Sequence, residues 1–180
     1  MQWPGTKRTV QELVEEHYEA LYRYAYRLSG SAADADDLTQ ETFCQAQAKL
    51  GQLRDPERAK PWLFSILRNA YLHRMRDRKV ENAVSLDGVA ELPGRPAPAE
   101  PDIDPQRLQE ALNQLPEAFR TPLILYYFED FSYRDIAEHM EVALGTVMSR
   151  LARAKSYLRT RLQNPAVTAY PAYRRAHDGL

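Results

Sequence analysis

The sequence predicts an all-α protein: two small helical domains joined by a flexible, Pro-rich, acidic linker, the second domain containing a helix-turn-helix. Apolar residues recur at intervals of three and four behind capping signals at Thr9, Ser31, Asp55, Asp104 and Ser132. No stretch alternates as a strand would, and no glycine-rich strand-to-helix signal is present. Periodicity lapses between the two helical stretches, where Pro93, Pro96, Pro98 and Pro101 crowd together with several acids. The expected boundaries are 10–80 for the first domain, 81–103 for the linker, 104–163 for the second domain and 164–180 for a tail without an assignable role.

Thr9 and Glu12 form a capping box, and Leu13 or Val14, Tyr18, Leu21, Ala25 and Leu28 follow at helical spacing until Ser29-Gly30. Helix one is therefore expected over 10–28. Ser31 caps a second helix whose acidic first turns suit the positive helix N-terminus, with Leu38, Phe43 and Ala46 on its apolar side until Gly51. Cys44 is the only cysteine, which rules out an intramolecular disulfide, and its neighbours suggest a buried, inert thiol. Asp55-Pro56 starts the next helix, which Pro61 is expected to break or restart. Trp62, Leu63, Ile66, Leu67 and Ala70 form its core stripe before an Arg-rich end.

Asp104-Pro105 caps a helix with Leu108, Leu112 and Leu115, and Pro116 opens another through Phe119, Leu123, Ile124 and Tyr127, with a kink expected at Pro122. Ser132 and Asp135 make a further capping box, and Phe131 can staple onto Ile136. Ala137 is small where helices cross, and Glu141 occupies a turn position that favours glycine. Val147, Leu151, Ala154, Leu158 and Leu162 bury one face of the last helix. Its other face carries Thr146, Ser149, Arg150 and Arg153, with Lys155, Arg159 and Arg161 nearby and no acid between Gly145 and Arg161. That is the chemistry of a helix lying in a DNA groove, although a solvated basic hairpin would share it.

With 44% hydrophobic and 27% charged residues, the 180-residue chain has the composition of a globular protein. Its formal net charge of −1 is unevenly distributed. Residues 34–41 hold Asp34, Asp36, Asp37 and Glu41 without a base, whereas residues 68–79 hold Arg68, Arg74, Arg76, Arg78 and Lys79 against Asp77. No apolar run is long enough to insert into a membrane, and the charged, amphipathic start is unlike a signal core, so a cytoplasmic protein is expected. His17, His73, His139 and His177 are scattered and no nucleophile motif occurs, which argues against an enzyme, a metal site or a cofactor.

Five motifs occur in a definite order: Asp-Asp-Leu-Thr-Gln-Glu-Thr-Phe at 36–43, Lys-Pro-Trp-Leu-Phe-Ser-Ile-Leu-Arg-Asn at 60–69, Leu-Pro-Glu-Ala-Phe-Arg at 115–120, Tyr-Phe-Glu-Asp-Phe-Ser-Tyr-Arg-Asp-Ile-Ala at 127–137 and Leu-Gly-Thr-Val-Met-Ser-Arg-Leu at 144–151. Together they resemble a bacterial extracytoplasmic-function sigma factor of the sigma-70 family. The resemblance implies promoter-specific initiation with core RNA polymerase, in partnership with promoter DNA and an anti-sigma factor. Asp37, Leu38, Gln40 and Glu41 match the segment that docks on the β′ clamp helices, and the β subunit is a further implied contact. Arg68, Asn69, His73, Arg74, Arg76 and Arg78 match the part that reads and melts the minus-10 element, with Asn69 where an extruded base is held. Thr146, Met148, Ser149, Arg150, Arg153 and Lys155 match the minus-35 readers; at Met148 many relatives carry Lys or Arg. Trp62 reads as core rather than as a stacking platform. Two other functions fit parts of the pattern: a stand-alone helix-turn-helix regulator, and a sigma mimic that binds an anti-sigma factor.

Overall fold

Thr9 and Ser31 open the first two helices of the computed structural model, which describes residues 8–84 and 104–163. In α1 (Val10–Ser29) the Thr9 hydroxyl accepts from the Glu12 amide while the Glu12 carboxylate accepts from the Thr9 amide. Gly30 ends α1 in the left-handed region at φ 74°, and its N–H donates to the Tyr26 carbonyl. That φ strains any side chain, and a Cβ on Gly30 would also lie 2.6 Å from Asn113 Nδ2, so the Asn113 amide would have to move aside. Helix α2 (Ala32–Lys49) starts at Ser31, whose hydroxyl accepts from the Asp34 amide.

Two 3-10 turns, Leu50–Gln52 and Pro56–Arg58, lead into α3 (Ala59–Val84). Pro61 does not break this helix. It falls in the first turn, where a missing N–H has no intrahelical acceptor to lose. The helix also runs beyond residue 80, so the predicted start of the linker lies inside it; residues 85–103, with the rest of the predicted linker, and the tail lie outside the described residues. The second half contains α4 (Pro105–Gln114), α5 (Glu117–Phe128), α6 (Tyr133–Met140) and α7 (Leu144–Gln163). Pro122 lies within α5, which continues through it as one element.

Helix α1 is the shared wall of the molecule, with α2 and α3 packed on one side and α4 and α5 on the other. It therefore buries a wider stripe than one neighbour would require: Leu13, His17, Leu21, Tyr24, Ala25 and Leu28. Tyr18, expected inside, is 42% exposed. Cys44 is likewise exposed rather than buried, and Tyr127 turns outward. Trp62 is half-buried against the core, as its stripe implies.

One apolar core runs through both halves, from Leu21, Leu38 and Phe64 to Leu112, Leu123 and Ile136. An aromatic chain crosses the boundary, with Tyr24 stacked on Phe64 at 4.8 Å between ring centroids and Phe64 against Phe131 at 5.2 Å. The halves thus close on each other.

Candidate polymerase and nucleic-acid surfaces

The acidic stretch of α2 and the basic end of α3 face each other. Arg74 lies 2.9 Å from Glu41 and 3.6 Å from Asp37, and Arg78 donates to Asp34 at 2.7 Å. The two oppositely charged patches legible in the sequence are therefore partly one ion-pair network between neighbouring helices. Asp37 and Gln40 are exposed and Glu41 half-buried, so these three can meet a partner. Leu38 cannot: it is 1% exposed and belongs to the core. Helical periodicity turns Leu38 inward with Ala35, Thr39 and Thr42.

The candidate minus-10 residues divide three ways. Asn69, His73 and Arg76 are exposed at helical spacing along one face of α3, and His73 Nδ1 sits 2.9 Å from Asp77 one turn on. Arg74 and Arg78 lean back on α2 as described. Arg68 points to the second half of the chain, where its Nε donates to Glu117 Oε1 at 3.0 Å.

The helix-turn-helix is built by local rules. Ser132 and Asp135 close their capping box, with the Asp135 amide donating to the Ser132 hydroxyl at 3.1 Å. Phe131 and Ile136 are both buried. Glu141 takes the left-handed conformation, φ 55°, so that its N–H and that of Val142 can return to carbonyls of α6. Val147, Leu151, Ala154 and Tyr157 pin α7 to the domain. Opposite them, Met148, Ser149, Arg153 and Lys155 are exposed and Thr146 and Arg150 half-exposed, all turned to solvent even though the two halves are closed. Ser149 donates to the Thr146 carbonyl at 3.0 Å, and Lys155 lies 6.0 Å above the Tyr127 ring.

The sequence assigns no functional role to a third group of residues. Arg120, its guanidinium held below the usual range by burial, donates to the carbonyls of Leu28, Asn113 and Leu115, tying α5 to the end of α1. Lys60 donates to the Glu129 carbonyl at 2.6 Å, and Arg58 pairs with Glu138 at 2.8 Å. His139 is wedged between Tyr24 and Ser65, with Nε2 3.4 Å from the phenol oxygen and Nδ1 3.2 Å from the hydroxyl. Ser65 already donates to the Pro61 carbonyl, which assigns Nδ1–H as donor to Ser65 and Nε2 as acceptor from Tyr24. Burial, reinforced by the Arg68 charge, lowers His139 to about 4, so the ring is neutral in this interface. Burial likewise raises Glu129 to about 7, opposed by Arg23, Lys60 and Arg27, and its Oε1 has no hydrogen-bond partner among the described residues.

No helix among the described residues is long and apolar enough to cross a membrane.

Two family models match the chain, one in each half. The family model for sigma-70 region 2 matches residues 13–81 and that for sigma-70 region 4 matches residues 106–158. The ECF RNA polymerase sigma factor SigL of Mycobacterium tuberculosis is 35% identical over 165 residues, which is 88% of this chain and 92% of that one. SigE of Mycolicibacterium smegmatis is 38% identical over 158 residues; the match takes in 82% of this chain but only 59% of that longer relative. Among solved structures, the sigma factor RpoE in complex with the anti-sigma factor NepR from Bartonella quintana superposes with a TM-score of 0.78 at 33% identity, covering 85% of this chain and 96% of the other. CnrH in complex with the cytosolic domain of CnrY gives 0.61 at 25% identity, covering 88% and 90%. With both regions matched in order, and a relative covered almost end to end, the chain belongs to the extracytoplasmic-function RNA polymerase sigma factors of the sigma-70 family.

Proposed function

We propose that the chain joins core RNA polymerase through Asp37, Gln40 and Glu41 on α2, presents Asn69, His73 and Arg76 of α3 to the minus-10 element, and lays α7 in the major groove of the minus-35 element. The β′ clamp helices, basic helices in this reading, are the complementary target for the α2 acids, and the β subunit a second contact. The observation that carries the reading is the solvent-facing side of α7. It bears Thr146, Ser149, Arg150, Arg153 and Lys155 and no acid from Val142 to Gln163, while the opposite side is anchored in the core.

Residues 10–80 and 104–163 are taken as the two promoter-contacting domains. Arg74 and Arg78 become DNA contacts once their partners on α2 let go, and Arg68 once Glu117 of the second half does, so the closed arrangement is the resting form and the polymerase-bound form is opened. An anti-sigma factor would act by favouring the closed form. The cytoplasm, where polymerase and promoter are found, is the place of action.

Run-off transcription with purified core polymerase on genomic promoter fragments tests the proposal. Specific start sites that require the chain are expected; transcripts indistinguishable from those of core polymerase alone would refute it.

A further inference from the structure

The two most exposed large apolar side chains among the described residues are neighbours on the DNA-facing helix. Leu144 is 50% and Met148 53% exposed, one turn apart on α7. The core does not use them, because Val147, Leu151 and Ala154 fill it. What surrounds them decides what can cover them. Arg150, Arg153 and Lys155 stand on the same helix, and Gly145 opens beside the pair onto empty space, with nothing within 4 Å of a Cβ built there. An apolar protein surface docking on this pair would have to supply several acids to neutralise those bases. Duplex DNA supplies that charge along its whole length, and the major groove offers one apolar group, the thymine C5 methyl.

We infer that Leu144 and Met148 form an apolar clamp that reads thymine methyl groups on neighbouring base pairs of the minus-35 element. Side chains one helical turn apart are separated by about 5–6 Å, which spans one to two base steps. Arg153, exposed on another face of the same helix, is left for polar base edges. The inference rests on the minus-35 reading of α7 and adds to it the base class that the apolar flank selects.

The test uses the full chain with core polymerase and a promoter duplex selected from a pool randomised over the minus-35 element. A matched duplex carries deoxyuridine at each selected thymine, which removes the methyl and keeps every hydrogen bond. The wild-type complex should bind the deoxyuridine duplex about fourfold more weakly for each methyl read, the loss expected for one buried methyl group. The variant Leu144→Gln/Met148→Gln, altered only at exposed positions, should bind both duplexes equally. Equal affinity of the wild type for the two duplexes would overturn the inference and leave the pair to a protein partner. A discrimination that survives unchanged in the double variant would overturn it as well. Failure to select any promoter would instead bring down the function on which the inference rests, together with the inference.

Discussion

Arg68 of α3 donates through Nε to Glu117 Oε1 of α5 at 3.0 Å, with the two side chains only 14% and 26% exposed. A residue matched to minus-10 contact is thereby turned toward the chain's own second half. In the proposed function closure and promoter contact compete for the same guanidinium, and the competition can be shifted at its acidic end. Glu117→Gln keeps an acceptor for the Thr121 hydroxyl, which now donates to Glu117 at 2.9 Å, but removes the charge. The expected result is a loss of stability of about 1–3 kcal/mol, since the pair is mostly shielded from water, a larger radius of gyration in small-angle scattering, and tighter binding of promoter DNA by the free chain. Unchanged scattering with unchanged DNA affinity would show that this pair does not hold the halves together.

His139 and Glu129 make closure respond to pH in opposite directions. His139 falls from 6.5 to about 4 in the closed form, so its contribution is complete above 6.5 and is lost as pH drops toward 4. Glu129 rises from 4.5 to about 7, so its contribution is complete below 4.5 and is lost as pH climbs toward 7. The two windows overlap, and the wild-type closed population should stay nearly level across them. His139→Gln exposes the Glu129 slope, with closure weakening as pH rises; Glu129→Gln exposes the His139 slope, with closure weakening as pH falls. Each slope can reach about tenfold per pH unit. Energy transfer between dyes on α2 and α7 would record it, and two single variants with the same sign of slope would contradict the assignment.

Glu141 holds the helix-turn-helix at φ 55°, a conformation that a side chain resists. Glu141→Gly should raise stability by about 1 kcal/mol, seen as a thermal midpoint a few degrees higher, with minus-35 preference unchanged. A lower midpoint would mean that the glutamate side chain contributes more than the strain it causes.

Local chemistry made the helix starts legible. Thr9, Ser31 and Ser132 cap within three residues of themselves, and each does so in the structure. Periodicity alone misassigned Tyr18, because α1 is buried by neighbours on two sides and its inward stripe moves round to His17 and Tyr24. Leu38 shows the same limit for the site: the docking motif reads as a continuous segment, yet a helix hides every third or fourth residue of it. The contacts that close the molecule were illegible for another reason. Arg68 and Glu117 are 49 residues apart, and Arg58 and Glu138 are 80 apart, so no spacing rule connects them.

Position and specificity should separate along α7. Arg153 is exposed on the side away from Val147 and Leu151, two turns into the helix, where a guanidinium can make a bidentate contact with guanine. Such a contact discriminates by roughly 1–3 kcal/mol, so Arg153→Ala should relax preference at one or two neighbouring base pairs of the minus-35 element. Arg161 donates to Gln114 at 3.3 Å and helps to fasten α7 to α4, which leaves the exposed Arg159 as the distal cation open to phosphate. Arg159→Ala should therefore lower affinity evenly across promoters and flatten its salt dependence by about one phosphate contact. Transcription from a library randomised over the element measures both effects at once. An Arg153→Ala profile with wild-type preference would remove this residue from the readers, and a sequence-dependent loss in Arg159→Ala would add that one.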